Sequence, residues 1–153
     1  MNRYSFLIFT LIIAFCSCMT SESTLLSVKN LNCTINEQPT ATRENAAFFS
    51  WQINSAHRNQ LQSAYQIVVA ENPDDLKTSK NILWDSGKIN SDKSALVKAD
   101  GLKLKSHQTY FWKVKVWNQD GKESAWSEPV RFKTGLFSES DWAGAKWIGY
   151  KDL

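Results

Sequence analysis

Few residues of this sequence have the type and spacing to do chemistry. Three are cysteines: Cys16, Cys18 and Cys33. The first two close an apolar run that extends from Phe6 to Phe15 behind a single cation, Arg3. Such a run fits an export leader and is too short to span a bilayer. Phe15, Cys16, Ser17 and Cys18 match the end of a bacterial lipoprotein leader, with Cys18 as the lipidated thiol. Cys16 fits worse, because bulky Phe15 would precede it, and an ordinary leader with incidental cysteines is the alternative. Cleavage before Cys18 would leave Cys33 alone once the Cys18 sulfur is acylated. That excludes an intrachain disulfide and makes Cys33 a small apolar residue.

The other candidates are sparse. Asp74 and Asp75 are adjacent carboxylates in "ENPDD", a turn or short helical cap containing Pro73, in which both face water. His57 and His107 lie far apart, with no Cys or Glu at ligand spacing, so no metal centre is expected. No glycine-rich phosphate loop or other cofactor motif occurs. Asn32-Cys33-Thr34 forms a glycosylation sequon, whose use a bacterial leader argues against. Lys and Arg number 18 against 15 acidic residues, scattered without a basic run, which excludes nucleic acid as an expected partner. Trp84, Trp117 and Trp126 could form a sugar-stacking platform. They could equally be core, or lie among lysines. Trp126 in "SAWSE" fits stacking between Lys113 and Lys115 as cation–π contacts.

The elements that must position these residues are strands. From 25 to 134 the apolar pattern has period two, and no segment of helix length carries an amphipathic stripe. In "TYFWKVKVWN", Tyr110, Trp112, Val114 and Val116 form an inward face. Phe111, Lys113, Lys115 and Trp117 form a face expected to meet water. Asp120-Gly121 then turns the chain into a strand over 125–134, with Val130 and Phe132 inward. Pro129 puts that strand at an edge or bulges it. Further strands fall in "LLSVKNLNCTI", "AAFFSWQI", "QSAYQIVVAEN", "ILWDSGKI" and "SALVKADGLKL". About seven short strands separated by turn signals predict an all-β, immunoglobulin/fibronectin type III-like antiparallel sandwich. Trp51, Tyr65, Tyr110 and Trp112 are the expected aromatic mass of its core. The spacing of Leu104 and Tyr110 suits a tyrosine corner, whose hydroxyl bonds to backbone just upstream.

"LKLKSHQTYFWKVKVWNQDGKESAWS" resembles the last half of a fibronectin type III domain. The ordered set "FSWQI", "QSAYQIVVA", "LWDSGKI", "YFWKVKVWNQDGKESAWSEP", "FKTGL" and "DWAGAKWIG", across 25–149, is similar to the N-terminal sandwich of bacterial α-L-rhamnosidases of glycoside hydrolase family 78. That resemblance implies further β-domains downstream, then an α/α-barrel that holds the two carboxylates of an inverting hydrolase. No catalytic residue carries over to any position here, and the expected role is a non-catalytic accessory domain. The alternative is a stand-alone lipidated module for carbohydrate binding or adhesion, with rhamnose-containing glycans as its partner. The expected organisation is a leader (1–17), a tether (18–24), the sandwich (25–135) and a linker into a missing following domain (136–153). Trp142, Trp147 and Ile148 are read as the opening of that domain, and Gly135 as the end of the stable fold. The leader implies export to the periplasm or outer membrane, with the membrane as a partner through the lipid.

Overall fold

The computed structural model describes residues 26–36 and 46–145. Cys16, Cys18, Trp147, Ile148 and the rest of both ends lie outside the described residues. Two antiparallel sheets face each other. The smaller has the order β1 (Ser27–Asn36), β2 (Ala46–Asn54), β6 (Val97–Lys98). The larger runs β4 (Trp84–Asp85), β3 (Gln62–Ala70), β7 (Thr109–Asn118), β8 (Val130–Lys133), and β5 (Ile89–Asn90) also pairs with β3. The segment read as one strand in "ILWDSGKI" is therefore two short ones. The backbone leaves β3 between them, because Gly87 takes a left-handed φ of +63° that a side chain would strain.

Alternation decides what is inside. Phe49 and Trp51 from β2 meet Tyr65, Ile67 and Val69 from β3, and Tyr110, Trp112, Val114 and Val116 from β7. All of these are buried. Phe49 lies 4.4 Å from Trp112 between ring centroids, and Trp51 meets Tyr65 edge-on at 5.2 Å. Such pairs add about 0.5–1.5 kcal/mol beyond the area they bury. The Lys105 amide donates to the Tyr110 hydroxyl at 2.8 Å, the tyrosine corner expected from the spacing. β8 lies at the sheet edge. Its preceding stretch holds β7 at intervals, through the amides and hydroxyls of Ser124 and Ser127, with Pro129 between that stretch and the regular ladder.

The second face of β7 departs from expectation. Lys113 and Trp117 are each only 8% exposed, so that face does not meet water along its length. The reason is a cover that strand periodicity cannot reveal. The helix α1 (Pro73–Thr78) buries Leu76 beside Val68 and Ala70 of β3, and Phe111 and Trp126 pack on the same cluster. Asn72 caps α1 by accepting from the Asp74 amide, and Pro73 sets its first turn.

After β8 the chain stays against the sandwich. The His107 amide donates to the Gly135 carbonyl at 2.9 Å, and Leu136 and Phe137 are half-buried. A 3₁₀ turn, Glu139–Trp142, follows. The Asp141 carboxylate accepts from the Phe137 and Ser138 amides at 3.0 and 2.9 Å. These bonds and Ser106 hold its pKa below the usual carboxylate range, with the Ser106 hydroxyl contributing most.

Candidate functional site

The three tryptophans considered for a platform separate into two places. Trp117 and Trp126 belong to a ladder on the outer face of the larger sheet. Lys88 lies over Trp117 at 4.6 Å, Lys115 spans Trp117 and Trp126 at 4.8 and 5.1 Å, and Lys113 lies over Trp126 at 4.6 Å. Three cations and two rings thus alternate in one stack. β7 supplies the lysines at 113 and 115 because residues two apart share a face. The Lys113 ammonium also donates to the Leu76 carbonyl. Burial, then the neighbouring Lys115 charge, pushes its pKa below the ordinary lysine value. Lys115 pairs with Glu123 at 2.9 Å. Both ring faces are occupied by lysines, so this stack braces the sheet to α1 and offers no open platform.

Trp84 stands elsewhere. It borders a cleft of about 330 Å³ at the open side of the sandwich, where β4 and β5 of one sheet approach β6 of the other. The volume lies at the lower edge of small-molecule sites, about 300–1,000 Å³. The Trp84 indole N–H donates to the Asp100 carbonyl at 3.0 Å, which fixes the ring across the gap between the sheets. Asp85 is oriented by the Gly87 amide at 2.8 Å and the Gln66 amide group at 2.9 Å. Lys98 pairs with the Asp100 carboxylate at 2.9 Å. Tyr65 reaches the cleft from the core side, and burial, then the Asp100 charge, raises its pKa. Ile89 and Val97 add apolar surface. Sequence reasoning offered only Trp84 of this set for ligand contact and read Tyr65 as core. The lining comes from three stretches, around Tyr65, across "LWDSGKI" and over 97–100, and no single motif spans them.

The remaining candidates fall apart from each other. Asp74 lies in the first turn of α1, where its carboxylate pairs with Lys77 at 3.0 Å, and Asp75 accepts from the Asn81 side-chain amide. Both carboxylates are spent on local structure. His57 and His107 are exposed and distant. Among the described residues no group of three His, Cys, Asp or Glu could hold a metal ion. Cys33 lies on β1 against the core, and burial pushes its thiol pKa up to about 12, which makes it a poor nucleophile. The sequon residues Asn32 and Thr34 are exposed on the same strand.

A family described as Rha78A-like, N-terminal immunoglobulin domain matches residues 28–138. An α-L-rhamnosidase of Formosa agariphila is 39% identical over 151 residues, covering 95% of this chain and 16% of that protein. The chain thus spans about a sixth of the length of that curated relative. The crystal structure of Streptomyces avermitilis α-L-rhamnosidase, complexed with L-rhamnose, superposes with a TM-score of 0.69 at 40% identity, over 81% of this chain and 12% of that one. The α-L-rhamnosidase from Dictyoglomus thermophilum gives the same TM-score at 33% identity, over 82% of this chain and 14% of that one. The chain belongs to the Rha78A-like N-terminal immunoglobulin domain family, the N-terminal sandwich of α-L-rhamnosidases.

Proposed function

We propose that this chain is a non-catalytic accessory domain of an α-L-rhamnosidase-like glycoside hydrolase, exported and tethered to the membrane through lipid on Cys18. Its role is to support the domains that follow it, and it turns over no glycoside alone. The observation that carries this reading is the match of 28–138 to an N-terminal domain family whose relatives extend far beyond the matched length. The carboxylates considered above are held in local contacts. Inverting hydrolysis needs two carboxyl groups about 6.5–9.5 Å apart across a substrate. Asp74 pairs with Lys77 and Asp75 accepts from Asn81 beside α1, while Asp85 accepts from Gln66 and Asp100 pairs with Lys98.

Two measurements test the reading. The purified chain, given an aryl α-L-rhamnoside, is expected to release no more phenol than a boiled control. Turnover above that control would overturn the non-catalytic role. For the anchor, Cys18→Ser is expected to move the chain from the membrane fraction to the soluble one and abolish fatty-acid labelling. Labelling that survives the substitution would remove the anchor.

A further inference from the structure

We infer that the cleft between β4, β5 and β6 is a binding site for a single neutral pyranose, with a 6-deoxyhexose as the fitting class. Trp84 supplies what a pyranose needs first, an aromatic wall held rigid at both ends. Its backbone pairs with Val69 in the β-ladder, and its indole N–H is spent on the Asp100 carbonyl. A ring so fixed loses little entropy when a sugar covers it. Polar groups then stand around that wall. The Asp100 and Lys98 side chains, paired with each other at 2.9 Å, are 78% and 51% exposed and border the cleft. Tyr65 lines the same space, and its hydroxyl is close enough to Asp100 to feel that charge. Together they offer an acceptor, a cationic donor and a group that does both, the set that vicinal sugar hydroxyls engage bidentately.

Charge and shape narrow the ligand. Asp85 and Asp100 against Lys98 leave the lining one negative charge in excess, so a uronate or sulfated sugar is disfavoured. Ile89 and Val97 present hydrocarbon beside the polar groups. A C5 methyl group lies well against such a surface, whereas a hydroxymethyl group there would leave its hydroxyl without a partner. The cleft is open and small, so it takes one ring at the end of a glycan rather than a buried chain. This binding is independent of the accessory role, because a domain that hydrolyses nothing can still hold a sugar.

The test uses the full 153-residue chain in a detergent without a sugar headgroup, labelled with ¹⁵N. It is titrated with methyl α-L-rhamnopyranoside, its 6-hydroxylated counterpart methyl α-L-mannopyranoside, and methyl α-D-galacturonoside. The expected result is saturable shifts at the Trp84 indole and at the amides of Asp85, Ile89, Lys98 and Asp100, with millimolar half-saturation for the rhamnoside and weaker binding of the other two. Trp84→Ala is expected to weaken the rhamnoside about tenfold. Asp100→Asn keeps the backbone carbonyl that holds Trp84, so it preserves the fold and is also expected to weaken binding. Trp142→Ala, outside the cleft, is expected to change nothing. Absence of saturable shifts, shifts centred on Trp117 and Trp126, or equal binding of the galacturonoside would each overturn the proposal. Because the readout is binding, its failure leaves the hydrolysis test above untouched.

Discussion

At the scale of single residues, the core depends on Trp112. It is fully buried between Phe49 and the β7 neighbours, so truncation leaves a cavity that the sheets cannot close. Trp112→Ala is expected to cost about 3–5 kcal/mol in a denaturant titration. Trp112→Phe should cost much less, since the Trp112 indole nitrogen has no hydrogen-bond partner among the described residues and phenylalanine has no donor to bury. Equal losses would mean that hydrogen bonding, not packing, holds the position. Tyr110→Phe removes the acceptor for the Lys105 amide and should cost about 1–2 kcal/mol. The inward residues of β2, β3 and β7 were legible because alternation is a local property of a strand. Trp117 was not. Its outward parity is correct, but Lys88 and Lys115 close over it. Trp117→Ala is therefore expected to destabilise the fold as well, where alternation alone would predict little loss.

At the scale of elements, the outer face of β7 shows where sequence reading stops. Alternating lysines say that the face is polar, and nothing in the strand says that α1 and Trp126 will cross it. The stacking of Trp126 with Lys113 and Lys115 was legible, because "SAWSE" sits one turn from the two lysines. The consequence of the cover was not. Lys113 has become a buried cation with a lowered pKa. Its sign is fixed by linkage. Between the folded and the ordinary lysine pKa the unfolded chain binds more protons, so this group makes stability rise as pH rises through that window. Lys113→Met keeps the stem and removes the charge. It is expected to flatten that rise, while Lys113→Ala also loses packing and the bond to the Leu76 carbonyl and should cost about 1.5–3 kcal/mol. A pH–stability profile unchanged by Lys113→Met would show that the depressed charge does not matter. The cleft was the least legible part, since three stretches of chain meet there only after the two sheets have stacked.

At the scale of the whole molecule, the described chain beyond β8 is held by hydrogen bonds at one end of the sandwich. The Asp141 carboxylate organises that segment. Its folded pKa is depressed. The stabilisation is therefore full above the unfolded value of about 3.9 and is lost as pH falls through the lower folded value. Amide-exchange protection at Phe137 and Ser138 should persist at mildly acid pH and vanish below it, and Asp141→Asn should weaken it at neutral pH. Protection that does not respond to either would assign the docking to Leu136 and Phe137 alone. The sandwich architecture was legible from turn spacing and alternation, and the family from the ordered motifs across 25–149, whereas the order of strands in the two sheets was not.

The central claim is that this sandwich serves α-L-rhamnosidase-like enzymes by support and not by chemistry. It is tested most directly by exchanging the corresponding N-terminal domain of the Formosa agariphila α-L-rhamnosidase for residues 26–145 of this chain and measuring aryl α-L-rhamnoside hydrolysis. The account predicts that the chimera keeps the kcat of the parent within a few-fold, that deletion of the domain lowers its thermal midpoint or yield, and that 26–145 alone shows no turnover. A folded chimera that has lost hydrolysis, or turnover by 26–145 alone, would contradict it.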